Sequence, residues 1–151
     1  MSIFNSDLKP EVIISALKDV KNQIRFVGIL GSGMYPLAKL LFKRGYSVSG
    51  SDDNAYTDSY TDEYGITVDR PKNELDPQVR LVVYSLAIDV ENPEISYAIL
   101  HGIPLISRAQ LLGAVMSEYG TRISISGSHG KSTTTALIDY IFKTAAPLTV
   151  V

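Results

Sequence analysis

Residues 24–33 read IRFVGILGSG, and residues 34–44, which follow directly, read MYPLAKLLFKR. The first stretch is a nearly continuous apolar run that ends in two glycines, which is typical of a strand buried on both faces and followed by a tight turn. The second has apolar residues at helical spacing, and Gly45 is suited to ending that helix. This unit predicts an α/β fold in which amides of the glycine loop bind an anion.

The remainder of the chain alternates between predicted strands and helices. A short amphipathic helix is expected over 10–20, and further strands are expected over 46–50, 65–68, 80–85, 103–106 and 122–126. Further helices are expected around 56–64, from 92, over 108–117 and over 132–143. The alternation predicts a Rossmann-like parallel sheet with helices on both faces, followed by a trailing strand, phosphate loop and helix. The predicted domains are an N-terminal extension (1–24), a Rossmann-like domain (25–119) and the beginning of a second, truncated domain (120–151).

Composition excludes several classes of protein. The chain has 151 residues, a formal charge of −2, two histidines and no cysteine. Disulfides, thiolate sites and a histidine-built metal centre are therefore not expected, and a reducing compartment is favoured. Without a basic block or a run of about 18 apolar residues, neither a nucleic-acid partner nor membrane insertion is expected, and we predict a cytoplasmic location.

The first glycine loop is compatible with a dinucleotide fingerprint. Gly31 and Gly33 fill its first two positions, but Pro36 stands where a third small residue is expected. Asp52 follows Gly33 by 19 residues, at the end of the second strand, where an acidic side chain can bind a ribose. For the glycine loop, the alternative is a turn needed only for close packing of helix and strand. For Asp52, the alternative is a helix cap or an exposed turn acid. Asp53 lies beside it, and the ribose-binding role could belong to that residue instead.

Three further features carry two interpretations each. Arg108 begins a predicted helix, where it serves an anionic ligand or a surface ion pair. Tyr56, Tyr60 and Tyr64 form an i, i+4, i+8 stripe that indicates packing rather than a ligand platform. His129, in the second loop, contacts a nucleotide or shapes the loop.

The second loop has the pattern G-x-x-G-K-S between a predicted strand and helix. Its amides can cradle a polyphosphate, Lys131 can reach the β and γ oxygens, and Ser132 can hold Mg²⁺. The loop is shorter than the general form, because position 125 is Ile rather than Gly. The alternative is a Lys-Ser pair that merely begins a helix.

Five blocks, in order over about residues 26–138, carry a family resemblance: VGILGSGM, GYSVSGSD, VVYSLAIDVENPEI, GIPLISRAQLLGAVM and ISGSHGKSTTT. The chain resembles the Mur ligases of bacterial peptidoglycan synthesis. The resemblance implies UDP-N-acetylmuramate as substrate, ATP and Mg²⁺ as cofactors, and addition of L-alanine through an acyl phosphate in the complete enzyme. The 151-residue chain alone is expected to be inactive, because the domains that supply the other Mg²⁺ ligands and the amine site are missing from it. No obligate protein partner is expected.

The resemblance also implies roles for individual residues. Those implied to bind the UDP-sugar are Gly31, Ser32, Gly33, Met34, Asp52, Ser85, Ala87, Ile88 and Arg108. Those implied to bind ATP are Gly127, Ser128, His129, Gly130, Lys131, Ser132 and Thr133, with Lys131 catalytic and Ser132 a Mg²⁺ ligand. The chain departs from the family in having serine at 128 and 132, and in lacking a histidine after the third strand, where Asp69-Arg70 stands.

Two other functions stay open on the residues alone. Gly31-Ser32-Gly33 with Asp52 also suits an NAD-binding oxidoreductase or regulatory module. A non-catalytic, ligand-sensing protein that retains the fold is the other alternative.

Overall fold

The computed structural model describes residues 9–19, 23–89 and 91–145. Part of the predicted N-terminal extension, including Val20, and the last six residues of the predicted second domain lie outside the described residues. The elements are, in chain order, α1 (Pro10–Asp19), β1 (Ile24–Val27), α2 (Tyr35–Lys43), β2 (Val48–Ser51), β3 (Ser59–Thr61), β4 (Thr67–Asp69), β5 (Leu81–Tyr84), α3 (Pro93–Leu100), β6 (Leu105–Ser107), α4 (Arg108–Ser117) and α5 (Lys131–Ala145). The chain divides into two compact units, one ending at Glu118 and the other beginning at Tyr119.

One sheet of six strands forms the centre of the first unit, in the order β3-β4-β2-β1-β5-β6. Every neighbouring pair is parallel except β3 and β4, which are antiparallel. The predicted α/β class with a mostly parallel sheet is confirmed. From β1 the chain adds strands on one side and then returns to add β5 and β6 on the other. The connections that follow β1 and β5 therefore lead to strands on opposite sides of this central pair, and nucleotide-binding sheets hold their ligands at the carboxyl edge beside such a reversal of strand order.

Every residue of the two central strands, β1 and β5, is buried. Strands of this kind need cover on both faces. On one face α3 contributes to a core cluster of Val27, Leu75, Val79, Val82, Tyr84, Ile95 and Ala98. Elsewhere α2 contacts β2, and α4 contacts both β5 and β6. The N-terminal helix α1 packs against α4, so its described residues belong to the first unit.

A buried ionic cluster crosses the apolar core. Arg25 of β1 makes ion pairs with Glu94 (2.7 Å) and Asp69 (3.0 Å), and the Ser51 hydroxyl donates to Glu94 (2.6 Å). Although burial alone would lower it, hydrogen bonds to Glu94 and Asp69 raise the pKa of Arg25. A buried charge is tolerated only when it is paired in this way.

The predicted helix around 56–64 is wrong. Residues 59–61 form β3, which pairs antiparallel with β4. The Ser59 hydroxyl donates to the Asp69 carboxylate, and Asp62 Oδ1 accepts the amides of Tyr64 and Ile66 in a tight turn. Side chains of Ser and Asp that bond to nearby backbone compete with helix formation. The segment therefore forms a strand although its tyrosines have helical spacing.

The tyrosine stripe is consequently not a helical one. The rings of Tyr56 and Tyr60 lie 4.1 Å apart, centroid to centroid, at the start of β3. Tyr64 instead lies under the ammonium of Lys39, which is 3.6 Å from its ring centroid. The tyrosines have helical spacing in the sequence, but they lie in and beside the hairpin formed by β3 and β4.

The predicted strand over 122–126 is also wrong. Residues 121–127 form neither helix nor strand, and the described part of the second unit contains no strand with which they could pair. Because strand backbone groups need partners, a lone strand does not form. The helix that follows is present as α5, beginning at Lys131. Among the described helices, none is both long and apolar enough to cross a membrane.

Candidate functional site

The glycine loop follows β1 at the carboxyl edge of the sheet. Gly28 has φ +79°, and a Cβ at this position would lie 2.9 Å from Ile88 Cδ1. Here glycine is required both by the left-handed backbone and by close approach of the loop after β5. Pro36 lies in the first turn of α2, where a missing N–H costs nothing, which explains the departure from the fingerprint.

Two amides of this loop, those of Ser32 and Gly33, have no acceptor in the described part of the chain. The other amides of the loop, which all donate hydrogen bonds within the protein, are those of Gly28, Ile29, Leu30, Gly31, Met34 and Tyr35. The free pair lies just before α2, where the helix dipole favours negative charge. The loop therefore presents two donors to an anion.

Arg108 supplies a positive charge at the same place. A Cβ on Gly33 would lie 3.0 Å from Arg108 Nη1 and 3.3 Å from its Cδ, so the guanidinium lies against the Gly33 backbone. No hydrogen bond or ion pair joins Arg108 to another described residue, and the surface ion pair considered as an alternative is not seen there. Arg108 is the first residue of α4, and the preceding Ser107 caps this helix through a reciprocal hydrogen-bond pair with Gln110.

Asp52 is engaged inside the protein. Its Oδ2 accepts the Leu30 amide (2.9 Å), and its Oδ1 accepts both the amide (3.0 Å) and the side-chain nitrogen (3.1 Å) of Asn54. The residue is also buried. The structure thus places Asp52 as a turn acid that shapes the glycine loop, which is the alternative interpretation of this position.

The other residues implied to bind the UDP-sugar surround the loop. Met34 has a buried side chain, and its amide donates to Gly31, so neither group is available to a ligand. After β5, the Ile88 amide donates to the Ser85 carbonyl, and the Ser85 hydroxyl accepts the Ala87 amide (3.3 Å). This turn lies against Gly28, so the structure brings the loops after β1 and β5 together.

A cleft of about 350 Å³ adjoins the glycine loop on the side of α2 and β3; its lining residues are Leu30, Ser32, Tyr35, Pro36, Tyr60 and Asp62. Tyr35 donates its hydroxyl proton to Asp62 (2.6 Å) across the cleft wall. Burial, together with this hydrogen bond, raises the pKa of Tyr35, so its phenol stays protonated. Sequence reasoning missed this cleft because a helix was expected in place of β3. The signal that could have revealed it is the turn sequence Asp62-Glu63-Tyr64-Gly65.

The second loop forms in part. Lys131 Nζ donates to the carbonyls of Gly127 (2.6 Å) and Ser128 (3.4 Å), and Gly130 has φ +77° immediately before α5. The hydroxyls of Ser128, Ser132 and Thr133 and the ring of His129 make no hydrogen bond to other described residues. Within the described ranges, no three His, Asp or Glu side chains group to hold a metal ion. The structure therefore brings Lys131 and the loop glycines together, and the residues it describes do not complete a metal site.

A family model and several known proteins match this chain over most of its length. Residues 23–120 match a family model described as Mur ligase family, catalytic domain. The UDP-N-acetylmuramate--L-alanine ligase of Lachnospira eligens is 41% identical over 128 residues, covering 82% of this chain and 28% of that protein. The bifunctional enzyme MurC/Ddl of Chlamydia caviae is 40% identical over 136 residues, covering 83% of this chain and 16% of its own length.

Solved structures give a similar result. The UDP-N-acetylmuramate-alanine ligase of Thermotoga maritima superposes with a TM-score of 0.69 at 26% identity, covering 81% of this chain and 29% of that one. A murein peptide ligase of Psychrobacter arcticus also has a TM-score of 0.69, at 28% identity, covering 82% and 27%. The chain thus spans less than a third of the length of these relatives.

Proposed function

The chain belongs to the Mur ligase family, and from this membership we propose that its first unit binds UDP-N-acetylmuramate, as part of an ATP-dependent ligase that adds L-alanine. The relatives named for this reaction share about 40% of their residues with the chain over four-fifths of its length. Cytoplasmic location belongs to the same proposal, as does the assignment of residues 25–119 to UDP-sugar binding and of 120–151 to the beginning of an ATP domain.

One observation carries the proposal: the free amides of Ser32 and Gly33 lie beside the guanidinium of Arg108, which has no partner among the described residues. A diphosphate offers several acceptor oxygens to such donors, and guanidinium binds phosphate in two-pronged geometry. The site lies at the carboxyl end of β1, next to the point where the strand order reverses. We therefore assign the diphosphate of the nucleotide sugar to these three donors.

Asp52 and Ile88, which bond or pack within the protein, shape the proposed ligand site indirectly. Asp52 holds the Leu30 amide, and so fixes the loop with its two other amides free. Ile88, packed against Gly28, sets how closely the loop after β5 approaches. We propose that Ser85, Ala87 and Ile88 form the opposite wall of the ligand site.

The second loop is proposed to hold the phosphates of ATP in the complete enzyme. ATP with Mg²⁺ supplies the phosphoryl group that activates a carboxylate for amide formation. The residues present are suited to binding the phosphates, because Lys131 offers an ammonium that offsets developing charge and the Ser132 hydroxyl offers one metal ligand. The remaining metal ligands have to come from outside the residues described.

Calorimetric titration of the chain with UDP-N-acetylmuramate tests the proposal. We expect binding by the wild type, a loss of at least about tenfold in affinity for Arg108→Ala, and no measurable binding by Gly33→Val. The valine side chain would enter the space of the Arg108 guanidinium and block approach to the amides.

Gly113→Ala is the matched control, because a Cβ on this glycine of α4 meets nothing within 4 Å. Thermal unfolding of each variant confirms that it is folded. NAD is titrated in parallel. Binding of NAD without binding of any uridine nucleotide would contradict the proposal, as would wild-type affinity in Gly33→Val.

A further inference from the structure

The beginning of the glycine loop is tied to the last residue of β2. The backbone carbonyl of Ser51 accepts two consecutive loop amides, those of Gly28 (2.8 Å) and Ile29 (2.9 Å). The amides of residues 31–35 bond within the loop or have no acceptor in the described part of the chain. The end of β2 therefore sets where the loop begins, and with it where its two free amides lie.

The side chain of Ser51 is held separately, by a carboxylate of α3. Its hydroxyl donates to Glu94 Oε2 (2.6 Å), and both residues are 0% exposed. Arg25 donates from Nε to Oε2 (3.3 Å) and from Nη2 to Oε1 (2.7 Å), and the Lys72 amide donates to Oε1 (3.2 Å). Each carboxylate oxygen of Glu94 thus accepts two hydrogen bonds. Through Ser51, this buried carboxylate is linked to the strand end that holds the loop.

A carboxylate is the group that suits this set of partners. An amide nitrogen in place of either oxygen would meet an N–H of Arg25, which cannot accept a hydrogen bond. Stability alone does not account for the group, because well-packed apolar residues often replace a buried ion pair at no cost in stability. A carboxylate with both oxygens occupied does fix the position of each donor around it, including the Ser51 hydroxyl.

Resting on the proposed function, we infer that Glu94 is a positioning residue of the anion-binding loop and that it acts through Ser51. The register of β2 with β1 and β4 ends at Ser51. A side-chain bond at this residue therefore fixes the backbone where regular pairing stops and the loop amides dock. Because Glu94 is inaccessible, it acts without touching the ligand, as a support for the free amides of Ser32 and Gly33.

Ser51→Ala in the full chain tests the inference, because it removes the link to Glu94 and keeps the carbonyl that holds the loop. We expect UDP-N-acetylmuramate to bind about fivefold more weakly in calorimetric titration. Inorganic pyrophosphate, measured as its competitor, should weaken by the same factor, because both ligands use the loop amides. Ser49→Ala is the matched control: Ser49 lies on the same face of β2, and its hydroxyl accepts Arg25 Nη1 (3.4 Å). This control should keep wild-type affinity, while thermal unfolding reports the stability of both variants.

Glu94→Gln tests the route of the effect. It should weaken both ligands to a similar extent and add no further loss to Ser51→Ala in the double variant, because it acts through the bond already removed. If Glu94→Gln does not fold, the comparison of Ser51→Ala with Ser49→Ala decides alone. Wild-type affinity in Ser51→Ala, or additive losses in the double variant, would overturn the inference and leave the proposed function standing. Wild-type protein that binds neither ligand would overturn the proposed function, and the inference with it.

Discussion

Arg25 shows how a single residue ties distant parts of the chain together. It lies in β1, among apolar neighbours, yet its guanidinium reaches Glu94 of α3 and Asp69 of β4. Lys72 adds an ion pair to Asp69 and donates its backbone amide to Glu94. A paired cluster of this kind is weak evidence for added stability, but removing one member leaves a buried charge uncompensated.

The carboxylate of Asp69 makes this cluster sensitive to acid. Although burial alone would raise it, hydrogen bonds from Ser59, Lys72 and Arg25 hold the pKa of Asp69 below its usual 3.8. The unfolded chain therefore binds this proton more readily, so the contribution to stability is full above the unfolded pKa and is lost as the pH falls through the folded one. We expect Asp69→Asn to cost roughly 2 kcal/mol at pH 7, and to cost less at pH 3, which lies below the usual pKa of 3.8.

Urea unfolding at the two pH values measures this difference. Asp53→Asn is the control, because Asp53 is exposed and bonds to no described side chain, and we expect it to change stability by less than about 0.5 kcal/mol. Wild type and Asp69→Asn curves that run parallel from pH 7 to pH 3 would refute the assignment.

Among the elements, α4 connects local sequence most directly to the proposed binding site. Ser107 ends β6 and caps α4: its hydroxyl accepts the Gln110 amide (3.3 Å), and the Gln110 side chain accepts the Ser107 amide (2.8 Å). This reciprocal pair fixes the first turn of the helix. Arg108 is the first residue of that turn, so the cap also orders the backbone that carries its side chain.

Ser107→Ala is expected to lower the free energy of unfolding by about 1 kcal/mol and to weaken UDP binding, because the turn that carries Arg108 frays. Ser107→Asp retains a capping oxygen and is expected to restore both properties. Chemical denaturation and calorimetry provide the two readouts. Ser96→Ala, an exposed serine of α3, should leave them unchanged. Loss of stability with full UDP affinity in Ser107→Ala would separate the cap from the site.

At the scale of the whole molecule, the two units differ in how they bury their elements. The first has β1 and β5 buried along their length, whereas α5 in the second has no buried residue. Helices in proteins owe most of their stability to packing of an apolar face rather than to intrinsic propensity. Length is therefore a poor guide to the stability of these helices.

Hydrogen exchange tests this expectation. The amides of β1 and β5 should exchange slowest, and those of the 15-residue α5 should exchange faster than those of the 8-residue α3, which buries Glu94, Ile95 and Ala98. Saturating UDP should slow exchange in the first unit, because a ligand at about 100 times its Kd stabilises the folded form by about 2.7 kcal/mol. Protection of α5 equal to that of β1 would contradict this ranking.

Local sequence was sufficient to predict the unit of strand, glycine loop and α2, and the bounds of α4. Those features depend on local periodicity, on caps and on glycines whose neighbours are close in the chain. Three features became evident only after folding: Arg25 pairs with a carboxylate 69 residues away, Asp52 accepts the Leu30 amide, and Tyr60 belongs to a strand. Such choices depend on which partners a backbone group or charge meets after folding, and spacing along one segment carries no record of those partners.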